Sequence, residues 1–157
     1  THNMAHVTIY TDGGASGNTG PGGYGALLMY GEHEREMSAG FRLTTNNRME
    51  LLAVIVALEA LKRPGMEVHI YSDSKYVVDA VEKGWVMGWE RKNFKDKKNP
   101  DLWKRFLVVY RQHKVAFHWV KGHAGNPNNE RVDALAVAAY QTGELGVDAV
   151  YESTGRA

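Results

Sequence analysis

Four acidic residues lie at the ends of predicted strands or in predicted helices, at positions where their side chains can meet. Asp12 and Asp73 each follow a short β-like run, in VTIYTDGG and VHIYSDSKYV. Glu50 begins a predicted helix in TTNNRMELLAV, and Asp133 lies in a later one in GHAGNPNNERVDALA. Carboxylates that converge on one crevice repel each other unless a cation neutralises them, and the hard ions Mg²⁺ and Mn²⁺ suit such ligands. The four residues therefore predict a divalent-cation site of the kind that acts on phosphates.

Each of these acids also has a purely structural interpretation. Asp12 precedes two glycines and suits an Asx turn, while Glu50 in a first helical turn complements the helix dipole. Asp73 suits a helix cap, and Asp133 suits a solvated helix surface. The combination favours the cation site, because the segments between these acids carry polar residues with little structural purpose, such as the paired asparagines of TTNNRME.

A histidine lies in the same loop region as the last acid. His123 has Gly122 and Gly125 nearby and precedes Asp133 by ten residues. Such a loop keeps the imidazole reachable, which suits proton transfer, and an exposed histidine without a function is the alternative. Five other histidines show no ligand spacing and are interpreted as structural: His6, His33, His69, His113 and His118.

Composition places the chain among ordinary globular domains. It has 157 residues, 43% hydrophobic and 24% charged, which predicts one domain with a sizeable core. Cysteine is absent, which excludes thiolate zinc sites and cysteine nucleophiles. No apolar run approaches the ~20 residues of a membrane span, and no signal-peptide pattern is visible. We therefore expect a cytoplasmic protein without a membrane partner.

Charge is concentrated in one segment of a nearly neutral chain. Residues 83–105 contain eight basic and three acidic residues, a net charge of about +5, whereas the whole chain carries +1. Aromatic side chains are interleaved with them, which suits nucleic acid because cations contact phosphates and rings contact sugars or bases. A solvated amphipathic surface is the alternative. We expect Trp85 and Trp103 to be packed and the lysine-rich loop at 90–100 to be exposed.

Hydrophobic periodicity supplies the elements that position these residues. Three strand-like runs come first, at 6–12, 24–30 and 34–41, and then strands alternate with amphipathic segments of helical period. Asp101 is the predicted cap of the helix that follows the basic loop. This order predicts a mixed sheet with helices on its faces.

Five segments of the sequence resemble, in their order along the chain, those of bacterial ribonuclease H of type 1. The resemblance covers roughly residues 7–140 and rests on YTDGGASGNTGPGGYG, TTNNRMELLAVIVALEAL, YSDSKYVVDAV, DLW and WVKGHAGNPNNERVDALA. It implies the α/β ribonuclease H-like fold, a five-stranded mixed sheet whose first three strands are antiparallel, flanked by helices. The domain is expected at 4–142, followed by a tail at 143–157 that is either an edge strand or flexible.

The same resemblance implies an activity. The family hydrolyses the RNA strand of RNA–DNA hybrids endonucleolytically by two-metal-ion catalysis and leaves 5′-phosphate and 3′-hydroxyl ends. Its metal-binding carboxylates match Asp12, Glu50, Asp73 and Asp133, and its flexible-loop histidine matches His123. The implied cofactor is Mg²⁺, two ions with substrate, with Mn²⁺ as a possible substitute. The implied protein is a monomer whose partner is the hybrid.

The expected substrate contacts also follow from the resemblance. Polar contacts near ribose and bases match Asn18, Asn46 and Asn47, a DNA-phosphate contact matches Thr45, and the channel aromatics match Trp85 and Trp89. The basic protrusion matches Lys92, Lys95, Lys97 and Lys98. Two departures stand out, since the basic loop is several residues shorter than in well-known members and Leu43 replaces a frequent arginine.

Two other functions remain open at this point. The first is a hybrid-binding module without catalysis, against which the presence of all four carboxylates argues. The second is another nuclease or strand-transfer enzyme of the same fold that acts on DNA, against which the TTNNRME and GHAGNPNNERVD blocks argue. Metal preference, cleavage-site preference and the role of residues 143–157 do not follow from the sequence.

Overall fold

The computed structural model of the chain describes residues 6–122 and 124–154. Its strands and helices alternate as the periodicity predicts. The strands are β1 His6–Ala15, β2 Gly20–Tyr30, β3 His33–Thr44, β4 Glu67–Ser72, β5 Lys114–Trp119 and β6 Leu145–Gly146. The helices are α1 Asn46–Glu59, α2 Lys75–Glu82, α3 Trp85–Arg91, α4 Pro100–Tyr110, α5 Pro127–Gln141 and α6 Ala149–Ser153.

One mixed sheet runs through the molecule in the order β5-β4-β1-β2-β3-β6. The first three strands pair antiparallel, and β4 and β5 add parallel to β1 on its other side. The predicted fold class is confirmed. The sheet has six strands rather than five, because the two-residue β6 pairs parallel with β3 at Gly40 and Phe41.

The core lies between the inner face of the sheet and the helices α1 and α4. Helix α1 begins where the Thr45 hydroxyl accepts a hydrogen bond from Arg48 N at 3.2 Å, and nine of its residues are buried. Trp103 and Phe106 of α4 are fully buried and meet edge to face at 5.6 Å. Buried apolar side chains on this scale supply the main stabilisation of the fold and fix where α1 begins relative to β1.

Helix α5 packs on the outer face of the sheet at unusually close range. A Cβ at Gly25 of β2 would lie 2.5 Å from the Val132 carbonyl oxygen, and one at Gly23 would lie 2.8 Å from that of Ala136. Only glycine allows the helix backbone to touch the strands there. Gly23 and Gly25 are therefore required for the packing of α5 on the sheet.

The last described residues pack against α1 and β3. Arg48 is 3% exposed, and its guanidinium donates to Asp148 at 2.7 and 2.9 Å and to Asp101 at 2.7 and 3.0 Å. Tyr151 of α6 is buried, and its hydroxyl lies 3.0 Å from that of Thr19. Residues 143–154 thus contain an edge strand and a short helix. The division between a domain of 4–142 and a tail stays a prediction.

The basic segment at 90–100 is largely exposed, as predicted, but its two ends belong to helices α3 and α4. It is helical up to Arg91, and four residues after it have positive φ: Asn93, Phe94, Asp96 and Asn99. Phe94 is only 5% exposed and holds the turn against the core, whereas the neighbouring lysines face solvent. The residue before α4 is Asn99, so the prediction that Asp101 caps this helix is wrong; its carboxylate binds Arg48 instead.

Within residues 6–122 and 124–154, no helix combines the length and hydropathy needed to cross a membrane.

Candidate active site and nucleic-acid interface

Asp12 lies in the middle of the sheet, where β1 approaches the start of α1. It is 6% exposed and stands opposite Gly25 of β2. The next residue, Gly13, is so close to the backbone of Met49 and Glu50 that a Cβ would overlap it. This contact between strand and helix brings the Asp12 and Glu50 carboxylates together.

Two neighbouring elements supply the other acids. Asp73 directly follows β4, which lies parallel to β1, and its carboxylate oxygen lies within 4.8 Å of those of Asp12 and Glu50. Asp133 follows Val132 on α5, whose backbone crosses Gly25 opposite Asp12, and Asp133 is close enough to raise the pKa of Asp12. The structure therefore brings all four predicted acids to one place.

The electrostatics of the cluster are those of carboxylates without a counter-charge. Burial, Asp73 and Asp133 raise the pKa of Asp12 from 3.8 to about 8. Burial first, and then the charges of Asp12 and Asp73, raise the pKa of Glu50 well above its ordinary value. Both shifts have the causes expected when like charges share a dry site.

The residues fit a divalent cation. Oε1 of Glu50 is buried and has no hydrogen-bond partner among the described residues, although a buried carboxylate oxygen normally has one. Three carboxylate donors from Asp12, Glu50 and Asp73 lie within ligand range of each other, and oxygen donors of this type suit Mg²⁺ and Mn²⁺. The same four acids could hold the ions that the sequence predicts.

His123 lies outside the described residues, so its predicted place in the site stays a prediction. The neighbouring Gly122 is described, and a Cβ on it would lie 2.8 Å from Oδ2 of Asp73. Trp119, at the end of β5, donates from Nε1 to the Asp73 carbonyl oxygen at 3.2 Å. The loop that leads to His123 therefore begins directly beside the carboxylate cluster.

Two of the predicted asparagines form hydrogen bonds between the β1–β2 connection, residues 15–18, and the start of α1. Asn46 Oδ1 accepts from the Ala15 amide at 2.6 Å, and Asn18 Oδ1 accepts from the Asn46 amide at 2.7 Å. Asn18 has a φ of +32°, a conformation that asparagine tolerates better than most residues. The oxygens are used internally, and neither Nδ2 group has a hydrogen-bond partner within the described chain.

A polar pocket of about 210 Å³ opens beside this turn. Its lining residues are Asn18, Thr19, Thr45, Asn47, Lys98, Asn99 and Tyr151. Lys98 supplies the cation in it, whereas Arg42 binds Glu152 at 2.9 Å and Leu43 has no charge. Thr19, Asn99 and Tyr151 were not predicted as part of this site. The pocket is formed by residues up to about 130 positions apart in the sequence. Local sequence patterns do not indicate contacts over such a separation.

The predicted aromatic and basic residues meet in a second groove of about 440 Å³. It is lined by Gly84, Trp85, Gly88, Trp89, Arg91, Lys92, Lys95 and Lys97. The Lys97 ammonium lies 5.1 Å from the centre of the Trp89 ring, and that of Lys83 lies 5.2 Å from Trp85. Trp103 is buried as predicted, but the packing expected for Trp85 is wrong, because this indole is 48% exposed. An exposed ring among cations can contact a polyanion.

Comparison with known proteins agrees with this geometry. A family model for RNase H matches residues 4–141. A ribonuclease H of Desulforamulus reducens is 55% identical over 151 residues, covering 93% of this chain and 94% of its own. A ribonuclease HI of Synechocystis sp. is 53% identical over 148 residues, covering 90% of this chain and 92% of its own.

Solved structures show the same likeness. The crystal structure of LC9-RNase H1, a type 1 RNase H with the type 2 active-site motif, superposes with a TM-score of 0.82 at 32% identity and covers 100% of this chain and 83% of its own. The crystal structure of LC11-RNase H1 in complex with an RNA/DNA hybrid superposes with a TM-score of 0.65 at 29% identity, covering 85% of this chain and 96% of its own.

Proposed function

Because the chain belongs to the ribonuclease H family, we propose that it hydrolyses the RNA strand of RNA–DNA hybrids by two-metal-ion catalysis and leaves 5′-phosphate and 3′-hydroxyl ends. The observation that carries the proposal is the convergence of four carboxylates on one place in the sheet. Two grooves on the same protein, rich in polar and basic side chains, suit a nucleic acid. A structural relative binds an RNA/DNA hybrid, which is the substrate assigned here.

Asp12, Glu50, Asp73 and Asp133 are the proposed metal ligands. Divalent ions, Mg²⁺ or in its place Mn²⁺, would supply water activation and stabilisation of the leaving 3′-oxygen in such a site. Asp12 is close to both Asp73 and Asp133, so it would hold the ions together with Glu50, Asp73 and Asp133. Gly13 lets α1 approach β1 next to Asp12, and Gly25 lets α5 approach β2 directly opposite Asp12.

His123 is the proposed proton carrier or product-release residue. It follows Gly122, which lies against Asp73, and two glycines close to it in sequence, Gly122 and Gly125, suit proton transfer better than fixed metal ligation. We expect His123→Ala to lower steady-state cleavage about 10²-fold, the lower range for loss of a general acid–base group, with Mg²⁺ affinity nearly unchanged. A single-turnover rate that falls as well indicates proton transfer, and an unchanged one indicates product release. Calorimetric Mg²⁺ titration beside steady-state and single-turnover kinetics tests this, and either lost metal binding or wild-type turnover would contradict the role.

The substrate contacts are proposed for the two grooves. The free Nδ2 donors of Asn18 and Asn46, together with Asn47, would face the minor groove, where polar groups distinguish the 2′-hydroxyl of RNA. Thr45 and Lys98 would hold a DNA-strand phosphate in the polar pocket. Trp85 and Trp89, with Lys92, Lys95 and Lys97, would line the channel for the DNA strand.

Lys98 provides a specific test of the phosphate pocket. Because Leu43 has no charge and Arg42 is paired with Glu152, Lys98 is the cation we assign to this pocket. We expect Lys98→Ala to weaken hybrid binding and to reduce the slope of log K against log[salt] by about 0.9, the value for one phosphate contact. Lys62→Ala is the matched control, since Lys62 is exposed beyond the opposite end of α1. Equal salt slopes for both variants would exclude the contact.

Three substrates separate the proposed activity from its rivals. Purified protein with Mg²⁺ should cleave the RNA strand of a hybrid and leave duplex DNA and duplex RNA intact. Binding of the hybrid without cleavage would indicate a silent binding module, and cleavage of duplex DNA would indicate a different nuclease. Labelled ends and mass spectrometry of the products test the proposed 5′-phosphate and 3′-hydroxyl. The monomeric state and the cytoplasmic location stay predictions.

A further inference from the structure

Three histidines and a glutamate form a second cluster on the sheet, away from the acidic site. Along β1, β4 and β5, alternate residues face the core, as Val7, Val68 and Phe117 do. The intervening positions on the other face carry His6, Glu67, His69 and His118. Parallel pairing of β1 with β4 and of β4 with β5 brings these residues together, although sequence spacing indicated no ligand pattern.

Donor atoms in this cluster have the spacing of a metal site. Oε2 of Glu67 lies 2.9 Å from Nε2 of His69 and 3.5 Å from Nδ1 of His6, and the three donor atoms lie within 4.8 Å of one another. Zinc with nitrogen ligands at 2.0–2.1 Å in tetrahedral geometry places those ligands about 3.3 Å apart. The observed separations lie within reach of one ion, and the stacked His6 and His69 rings must tilt so that both nitrogen lone pairs point at it.

The strands hold these ligands in advance of binding. Glu67 is the direct partner of His6 in the β1–β4 pair, and the His6 and His69 rings stack at 4.7 Å. Side-chain exposure is 54% for His6, 34% for Glu67 and 25% for His69, so an ion can reach the cluster and keep water in a remaining position.

His118 is the hydrogen-bond partner for the second ring nitrogen of His69, as metal-binding histidines normally have. Its Nε2 lies 2.8 Å from Nδ1 of His69, and the two rings stack at 5.1 Å. In the tautomer where His69 Nδ1–H donates to His118, Nε2 of His69 is unprotonated and free to bind a metal. A ligating histidine typically donates its other N–H in this way, which orients the ring and selects the tautomer.

We propose that His6, Glu67 and His69 bind one Zn²⁺-class divalent cation, with His118 as the residue that positions His69. Two imidazoles and one carboxylate suit Zn²⁺, Ni²⁺ or Cu²⁺, whereas the all-carboxylate cluster suits Mg²⁺. The six residues from His6 to Asp12 span about 20 Å of strand, so the two sites are separate. The bound ion joins β1 to β4 and stabilises the folded protein, since a ligand that binds only the native state raises Tm.

Zinc titration of the folded protein tests the site. Excess Mg²⁺ is present throughout, and an Asp12→Asn/Asp73→Asn protein is titrated in parallel to remove competition from the acidic cluster. We expect one Zn²⁺ per chain in both proteins, with a rise in Tm, and a tetrahedral visible spectrum when Co²⁺ replaces Zn²⁺. Absence of a zinc site in the Asp12→Asn/Asp73→Asn protein would overturn the proposal.

Variants assign the ligands. His6→Gln/His69→Gln should abolish the zinc-dependent rise in Tm and raise the Kd more than 100-fold, and His118→Gln should raise it about 10- to 100-fold, the usual cost of losing such a hydrogen-bond partner. His33→Gln is the matched control, because His33 is an exposed histidine on β3 outside the cluster. Zinc-free circular dichroism and Tm establish that each variant folds. An unchanged Kd in His6→Gln/His69→Gln, or an equal loss in His33→Gln, would overturn the assignment.

Discussion

We expect Asp12→Asn to lower the rate of hybrid cleavage by several orders of magnitude while hybrid binding persists. The substitution keeps the shape of the side chain but removes the charge at the centre of the cluster, where Asp12 meets Asp73 and Asp133. The grooves that carry the basic and aromatic contacts are unchanged, so affinity for the hybrid should be retained. Single-turnover cleavage and a binding titration on the same protein measure the two effects. Retention of a tenth of wild-type turnover would exclude a metal-ligand role.

The same variant should change how stability depends on pH in the absence of divalent ions. The pKa of Asp12 is raised from 3.8 to about 8 in the folded protein, so between these values the folded state binds more protons than the unfolded state. The contribution of Asp12 to wild-type stability therefore falls as pH rises from about 4 to 8. Asp12→Asn removes this contribution and should be as stable as wild type or more stable near pH 8.

Chemical unfolding over that pH range, with a chelator present, measures the difference. Glu144→Gln is the control, because Glu144 is an exposed acid outside the cluster. Added Mg²⁺ should restore wild-type stability at pH 8, since the ion favours the ionised carboxylates. If the stability of wild type relative to Asp12→Asn does not fall with pH across this window in chelator, the clustered geometry is contradicted.

Arg48→Met should destabilise the protein by about 3–5 kcal/mol, the usual cost of removing one partner from a buried ion pair. The Arg48 side chain is 4% exposed, and those of Asp148 and Asp101 are 10% and 26% exposed. Methionine cannot neutralise either carboxylate, and both would remain in a largely dry position. The loss should also release the C-terminal segment from α1, because Asp148 precedes α6.

An exposed pair provides the comparison for this effect. Arg105 binds Glu59 at 2.6 Å, with side chains 46% and 33% exposed, so Arg105→Met should cost less than about 1 kcal/mol. Urea unfolding of the two variants under the same conditions measures both values. If the two losses are equal, the buried network does not hold the C-terminal segment in the way described.

The local sequence pattern was sufficient to predict most of the strands and helices and the acidic residues of the site. Hydrophobic period distinguished strands from helices, and Asp12 and Asp73 could be predicted as site residues because strand ends expose side chains to a crevice. The resemblance to ribonuclease H identified the same four acids and the mixed sheet. These features depend on residues close together in sequence, or on motifs long enough to be specific.

Long-range packing decided the rest. Arg48 lies on the buried stripe of α1 with Leu51 and Ile55, and a charge at such a position could have signalled a buried ion pair, but its partners are 53 and 100 residues away. Pairing of the parallel strands brought His6 and His69 together. The sequence by itself determined the elements and the chemistry of the acidic site, while the docking of the C-terminal segment, the Lys98 pocket and the histidine cluster depended on which distant surfaces meet. Burial and strand register set those contacts, and local preferences do not encode them.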